Sequence, residues 1–209
     1  MRRHTVRTLG VVLCLVPAVV AWKRADSALA LQPGSRVWVE GTSTVRAFKC
    51  AAQTLDAQVA TTGADAVSAA LAGTKSVRDA ELRIPAAKLD CNNGTMNSHM
   101  LKALKASEHP TIVFKVVSYE VGKADGATRG TTTGELTLGG VKKTITVSGN
   151  VTEQPGGILR IVGTHQLRMT EYGLKPPTLM MGTMKVNELV TIGFDLLLKD
   201  SNPTLAAAR

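Results

Sequence analysis

Apolar and polar residues alternate with period two through most of the chain beyond residue 35. The pattern is cleanest over residues 134–149, GELTLGGVKKTITVSG, where Leu136 and Leu138 oppose Glu135 and Thr137. Past Gly139 and Gly140, Ile145 and Val147 oppose Thr144, Thr146 and Ser148. Alternation on both sides of a Gly-Gly pair predicts an antiparallel hairpin with one buried and one wet face. Lys142 and Lys143 keep the turn end in water. Two strands with one apolar face are not stable alone, so other strands must close over them.

The neighbouring segments supply those strands. Residues 37–48 and 55–61 are β-like runs that pair as a long hairpin, and SVRDAELRIP sets Val77, Leu82 and Ile84 against Arg83 before stopping at Pro85, which cannot donate to a ladder. TIVFKVVSYEV places Ile112, Phe114 and Val116 on one face, and residues 123–128 form a loop. GGILRIVGTHQLRMTEYGL is a long strand for which Gly163 supplies a bend. LKPPTLMMGTMK is an irregular crossing, and NELVTIGFDLLLK aligns Val190, Ile192, Phe194, Leu196 and Leu198. Residues 63–75, small and Ala-rich, fit a helical turn or a loop equally.

One stretch has a different period. In TMNSHMLKALKASEHP, Met96, Met100, Leu101 and Leu104 recur at helical spacing, with Thr95 or Asn97 as N-cap and Pro110 closing the segment. Its apolar side needs a cover, and the open end of a barrel offers one. Eight strands, one short helix and no βαβ alternation define the expected fold: all-β, an eight-stranded antiparallel barrel.

The N-terminus reads differently. Arg2, Arg3 and Arg7 precede an apolar run from Leu9 to Trp22, followed by Ala28-Leu29-Ala30, so residues 1–30 read as a secretory signal peptide. Cleavage after Ala21 is a second possibility, and an uncleaved anchor is the alternative. Leu13 before Cys14 argues against a lipoprotein. The expected organisation is a leader over 1–30, a barrel domain over 31–201 and a disordered tail over 202–209, in a periplasmic or secreted protein. The leader holds five Lys/Arg and one Asp, so the net charge of +9 falls to +5 without it. That balance, with no basic run and few aromatics, excludes a nucleic-acid partner.

Cys50 and Cys91 remain beyond the leader. An even count in an exported chain reads as one disulfide, closing a loop of about 40 residues and adding on the order of 4 kcal/mol. Two buried thiols are the alternative. Neither cysteine has a second Cys or His at ligand spacing, so no metal is expected.

The order of three motifs, MNSHMLKALKASEHPTIVF, GELTLGGVKKTITV and LRMTEYGLKPP, resembles the YceI-like family over roughly residues 35–199. These are exported bacterial proteins with a lipocalin-like eight-stranded barrel. Asn97, His99, Met100, Pro110 and Phe114 take the places of the family's acid-x-His-Leu helix, Pro and strand-ending Phe; Gly140 and Lys142 take those of its Gly-basic turn. Asn97 departs from the usual Asp, and the Cys50/Cys91 pair suggests a disulfide-containing branch.

The resemblance implies that the barrel encloses a long-chain isoprenoid or quinone-type lipid, with no other cofactor. Six methionines beyond Met1, at 96, 100, 169, 180, 181 and 184, suit an adaptable apolar lining, although a core packed by its own side chains fits the same pattern. Alternation directs Phe48, Leu82, Ile84, Ile112, Phe114 and Leu136 inward, together with Leu138, Ile145, Val147, Leu167, Ile192 and Phe194. Met100 and Leu104 of the helix, and Met169 and Met181, complete the expected ligand-binding set. A one-residue slip would reverse any of these strands.

No G-x-S-x-G, H-E-x-x-H or phosphate-cradling loop is present, so no catalytic residues are assigned. His99 reads as a solvated helix residue or as a contact for a lipid headgroup. The other reading is a stress-related protein that acts through a protein partner around a filled barrel. Transient membrane contact and a homodimer are both compatible with such a barrel.

Overall fold

The computed structural model describes residues 27–124, 126–179 and 183–201. Residues 1–26 of the leader expected over 1–30, the tail expected from Asn202, and Met181 lie outside the described residues.

The first strand of the barrel comes in two pieces, β1 (Ala28–Leu31) and β2 (Arg36–Thr42). Both run antiparallel to β13 (Leu189–Ser201), β1 through Leu31 opposite Leu198 and β2 from Arg36 opposite Asp195. The second strand is divided in the same way into β3 (Ala47–Ala52) and β4 (Asp56–Thr61), which pair with β2 and β1 respectively. Strands β5 (Val77–Pro85), β7 (Thr111–Ala124), β8 (Ala127–Leu138), β9 (Val141–Gln154) and β10 (Ile158–Arg168) follow as an antiparallel meander, and β10 pairs with β13 to complete the circuit. With each divided strand counted once, the result is a closed eight-stranded antiparallel barrel. Closure removes the exposed edges that an open sheet of this size would present.

The region 37–48, expected as one strand, folds back on itself at Ser43. The Ser43 hydroxyl accepts hydrogen bonds from the Val45 and Arg46 amides at 3.3 and 3.1 Å, and its own amide donates to the Arg46 carbonyl. A local serine turn therefore overrides the apparent β-run. The expected bend at Gly163 is not a register shift, since β10 pairs with β13 without interruption from Ile158 to Arg168. Register shifts fall instead in β7, between Val116 and Ser118, where Val117 is left exposed, and between β4 and β5, at Ala60 and Thr61. Lys123 to Ala124 and Ala127 to Thr128, expected as loop, extend β7 and β8 instead.

Gly139 and Gly140 make the β8–β9 turn with φ of 55° and 81°, the two left-handed positions that a type I′ turn demands.

Each end of the barrel is covered by a helix. The Ala-rich segment forms α1 (Ala66–Leu71), whose Ala66 and Val67 are buried against Leu29, Val151, Leu159 and Leu198. Its own N-cap residue, Asp65, makes no capping bond; the Asp200 carboxylate accepts from the Ala66 and Val67 amides instead, at 3.0 and 3.3 Å. At the opposite end, after the two-residue strand β6 (Leu89–Asp90), lies α2 (Gly94–Ala103). Its cap is Asn93, whose Oδ1 accepts from the Met96 amide at 2.9 Å, rather than Thr95 or Asn97. The crossing loop adds a small hairpin, β11 (Thr178–Leu179) with β12 (Met184–Lys185).

Two devices tie these parts together. Cys50 of β3 and Cys91 before α2 form a disulfide, which fastens the lead into the helix to the barrel wall. On the outer face, Asp195 is 5 % exposed and accepts from Nε and Nη2 of Arg160, at 2.8 and 3.0 Å, and from Nη2 of Arg36 at 2.8 Å, joining β10, β13 and β2.

Candidate functional site

Inside the barrel the alternating residues do not meet across the axis. They surround a cavity of about 750 Å³ that reaches from Ala66 and Ala70 of α1 to Met96, His99 and Met100 of α2 and Leu104 at its C-terminal cap. This lies within the size range of sites that bury a small molecule, and the lining is overwhelmingly apolar.

The wall follows from register. Because residues paired across antiparallel strands share a face, Leu82, Phe114 and Leu136 line one side as a continuous row. In β9 that row ends on Lys143, while the neighbouring rows of the same face carry Leu138, Ile145 and Val147, and β10 and β13 add Leu167, Ile192 and Phe194. Phe48, Ile84, Ile112 and Met169 border the cavity near the α2 end, with Met100 and Leu104 above them. Every described residue assigned inward by alternation thus lies on this wall. Met181 lies outside the described residues.

Sequence reasoning missed a second group. Leu29 and Leu31 of β1 line the far end, as do Val59, Ile161, Leu159 and Leu198. Alternation already aligns Leu196 and Leu198 with Phe194, but the expected ligand-binding set ends at Phe194. Leu29 and Leu31 could not be found in that way, because the sequence around them reads as the end of a leader.

The phenylalanines owe their positions to glycines. Phe114 covers Gly134, Phe48 covers Gly41 and Phe194 covers Gly163, each ring lying where a Cβ on the neighbouring strand would stand. The rings consequently lie against the wall rather than across the lumen, and this keeps the lumen open.

Polar groups on the lining are few, and most of the side chains around them are apolar. At the α2 end, Ser43, Arg46, Asn93, Thr95 and His99 mix with Met96, Pro177 and Val186. The Arg46 guanidinium lies 3.8 Å from the Met96 sulfur. His99, expected in solvent or near a headgroup, is half-buried at this rim. The α2 anchorage is polar too: Asn97 accepts from the Cys91 amide and donates to the Asp90 carboxylate, both at 2.8 Å. That second bond and the Asn92 amide hold the Asp90 carboxyl below the usual carboxylate range.

Deeper in the barrel, His165 projects from β10 among Leu167, Ile192 and Val147, and burial pushes its imidazole below the ordinary histidine value, so it is neutral at pH 7. Tyr172 is almost completely buried beside this wall, and its hydroxyl has no partner among the described residues.

An antiparallel barrel of eight strands with a helix at each end and an apolar lumen of this size has room for a small apolar molecule. The model of the YceI-like domain matches residues 34–198, and the chain belongs to that family. Burkholderia cenocepacia BcnA superposes with a TM-score of 0.61 at 22 % identity, over 78 % of this chain and 95 % of its own. A polyisoprenoid-binding domain from Saccharophagus degradans, implicated in plant cell wall breakdown, gives 0.60 at 12 % identity over 85 % of this chain and all of its own. A Campylobacter jejuni YCEI protein gives 0.53 at 17 % identity, over 77 % and 85 %. No curated protein matches the chain.

Proposed function

We propose that the chain is an exported binding protein that holds a long-chain isoprenoid or quinone-type lipid inside its barrel and does not turn it over. The observation that carries this reading is the apolar lumen of about 750 Å³ bounded by α1 and α2. Each CH₂-equivalent carbon moved from water into such a lining is worth on the order of 0.8 kcal/mol, so a few five-carbon units outweigh the cost of ordering the chain. The name of the Saccharophagus degradans domain supports the same class of ligand.

Loading from a membrane fits the α2 end. Residues 41–48, 91–105, 173–179 and 183–187 contain no Asp or Glu but carry Arg46, Lys102, Lys105, Lys175 and Lys185. Val45, at the tip of the β2–β3 turn, is 66 % exposed. An anionic bilayer is the complementary surface, at about 1 kcal/mol for each basic side chain brought near it.

Native mass spectrometry of the protein recovered from an exporting cell, followed by organic extraction, tests the reading. A stoichiometric isoprenoid or quinone is the expected result, and fractionation of the same culture should find the protein outside the cytoplasm. A ligand-free protein whose unfolding is indifferent to added isoprenoids overturns it and favours a protein partner.

A further inference from the structure

The side chains that border the cavity include several polar groups, and most have a partner. Glu81 pairs with Arg83 and Glu120 with Lys75, while the Tyr119 hydroxyl accepts the Ser76 and Val77 amides at 2.6 and 2.8 Å. Arg46 and His99 stand at the α2 rim. His165 is different, because it lies on the wall itself, opposite Ile192 in the β10–β13 ladder, and makes no hydrogen bond or ion pair to any described residue.

A second unsatisfied group belongs to the same band. Thr132 lines the cavity from β8 and likewise has no side-chain hydrogen bond among the described residues. It pairs with Val147 of β9, and the β9–β10 register, which sets Ser148 opposite Thr164, carries that row on to His165. One strand separates the two residues, about 10 Å at the usual strand spacing. Around His165 the row is apolar, formed by Val147, Ile192 and Val39, and beyond Thr132 it passes to Tyr119 of β7, whose hydroxyl is already taken. A polar side chain in such surroundings is costly unless it meets a partner.

We infer that His165, assisted by Thr132, is the polar anchor of the cavity and hydrogen-bonds a neutral oxygen of the enclosed lipid, a quinone carbonyl or a prenol hydroxyl. This deepens the proposed function and rests on it. A neutral imidazole offers one donor and one acceptor, which satisfies a carbonyl or a hydroxyl. It offers no charge to a phosphate, and the cationic groups that could do so, Arg46 among them, stand at the rim. The ligand thus lies with its neutral head inside the barrel, and a phosphorylated prenyl chain would keep its head at the α2 mouth.

The test measures binding of a polyprenylated benzoquinone, a polyprenol, a polyprenyl phosphate and an oxygen-free isoprenoid hydrocarbon of equal length to wild type, His165→Leu and His165→Gln. Quinone and prenol affinity should fall about tenfold in His165→Leu, as loss of one buried hydrogen bond predicts, with partial recovery in His165→Gln. Hydrocarbon and phosphate affinities should hold within about twofold of wild type, well short of the tenfold that one buried hydrogen bond carries, and retained hydrocarbon binding also certifies the variants as folded. In wild type, the imidazole nitrogen resonances of His165 should move on loading with quinone and stay in place with hydrocarbon. Equal losses for quinone and hydrocarbon, or unmoved imidazole resonances, overturn the anchor while leaving a lipid-binding barrel. Failure of wild type to take up any of the four overturns both.

Discussion

The Phe194 ring lies across Gly163 on the adjacent strand, so a Cβ at position 163 would stand 2.5 Å from the ring's Cζ and 2.4 Å from the Ser148 carbonyl oxygen. The first clash could be relieved by swinging the ring into the lumen; the second is with backbone and could not. Gly163→Ala should therefore destabilise the barrel by about 1–3 kcal/mol and narrow the cavity. Denaturant unfolding measures the first effect and the stoichiometry of bound isoprenoid the second. Phe194→Ala should also destabilise, yet enlarge the lumen and accept a bulkier lipid.

The Asp195 cluster sets an acid limit to stability. The Arg160 guanidinium, with Arg36 beside it, lowers the Asp195 carboxyl to about 2. A carboxylate whose folded value lies below its unfolded one contributes stability that is complete above about pH 4 and disappears as the pH falls toward 2. Asp195→Asn should cost on the order of 1–2 kcal/mol at pH 7, since the partners are partly solvated, and should match wild type near pH 2. Urea titrations at several pH values provide the comparison.

At the other end, the identity of residue 97 is set by residue 90. Asn97 donates to the Asp90 carboxylate, so Asn97→Asp would replace that donor with a second negative charge at hydrogen-bonding distance. The variant should lose protection of the α2 amides at pH 7 and melt at a lower temperature. Both effects should diminish below about pH 4, where one carboxyl takes up a proton and donates again. Hydrogen exchange measured at the two pH values distinguishes this from general unfolding.

The Cys50–Cys91 disulfide spans 41 residues and anchors the same helix. Cys50→Ala with Cys91→Ala should cost on the order of 4 kcal/mol by the chain-entropy estimate. Faster loss of bound lipid, measured by transfer to acceptor vesicles, should accompany it, because α2 covers this end of the cavity.

These residues show what the sequence could reveal and what it could not. Alternation determines which way a side chain points, and this made the walls of β5, β7, β8, β9 and β13 legible, with the paired glycines marking the β8–β9 turn. It says nothing of the distance across the barrel, so a filled core and a lumen looked alike. That difference comes from Phe114 lying on Gly134 and Phe194 on Gly163, pairs that the register alone brings together. The cap of α1 is similarly remote, 134 residues away in Asp200. The break at Ser43 was hidden because its flanking residues keep a β-like pattern through the turn.

The leader boundary at residue 30 falls within β1, and this yields a prediction about processing. Ala28 through Leu31 oppose Ser201 through Leu198, the Thr61 amide donates to the Ser27 carbonyl at 2.9 Å, and Leu29 is 4 % exposed beneath α1. Cleavage after Ala30 would remove most of the strand that closes β13 against β4, together with about 1.5–3 kcal/mol from the burial of Leu29 alone. Cleavage after Ala21 would leave it intact. On the proposed export, the mature chain should therefore begin at or before Ser27, as N-terminal sequencing can establish. A variant made to begin at Leu31 should unfold at lower denaturant concentration and hold its lipid less tightly. A native exported chain that begins at Leu31 with undiminished stability would show that β1 is dispensable to the barrel.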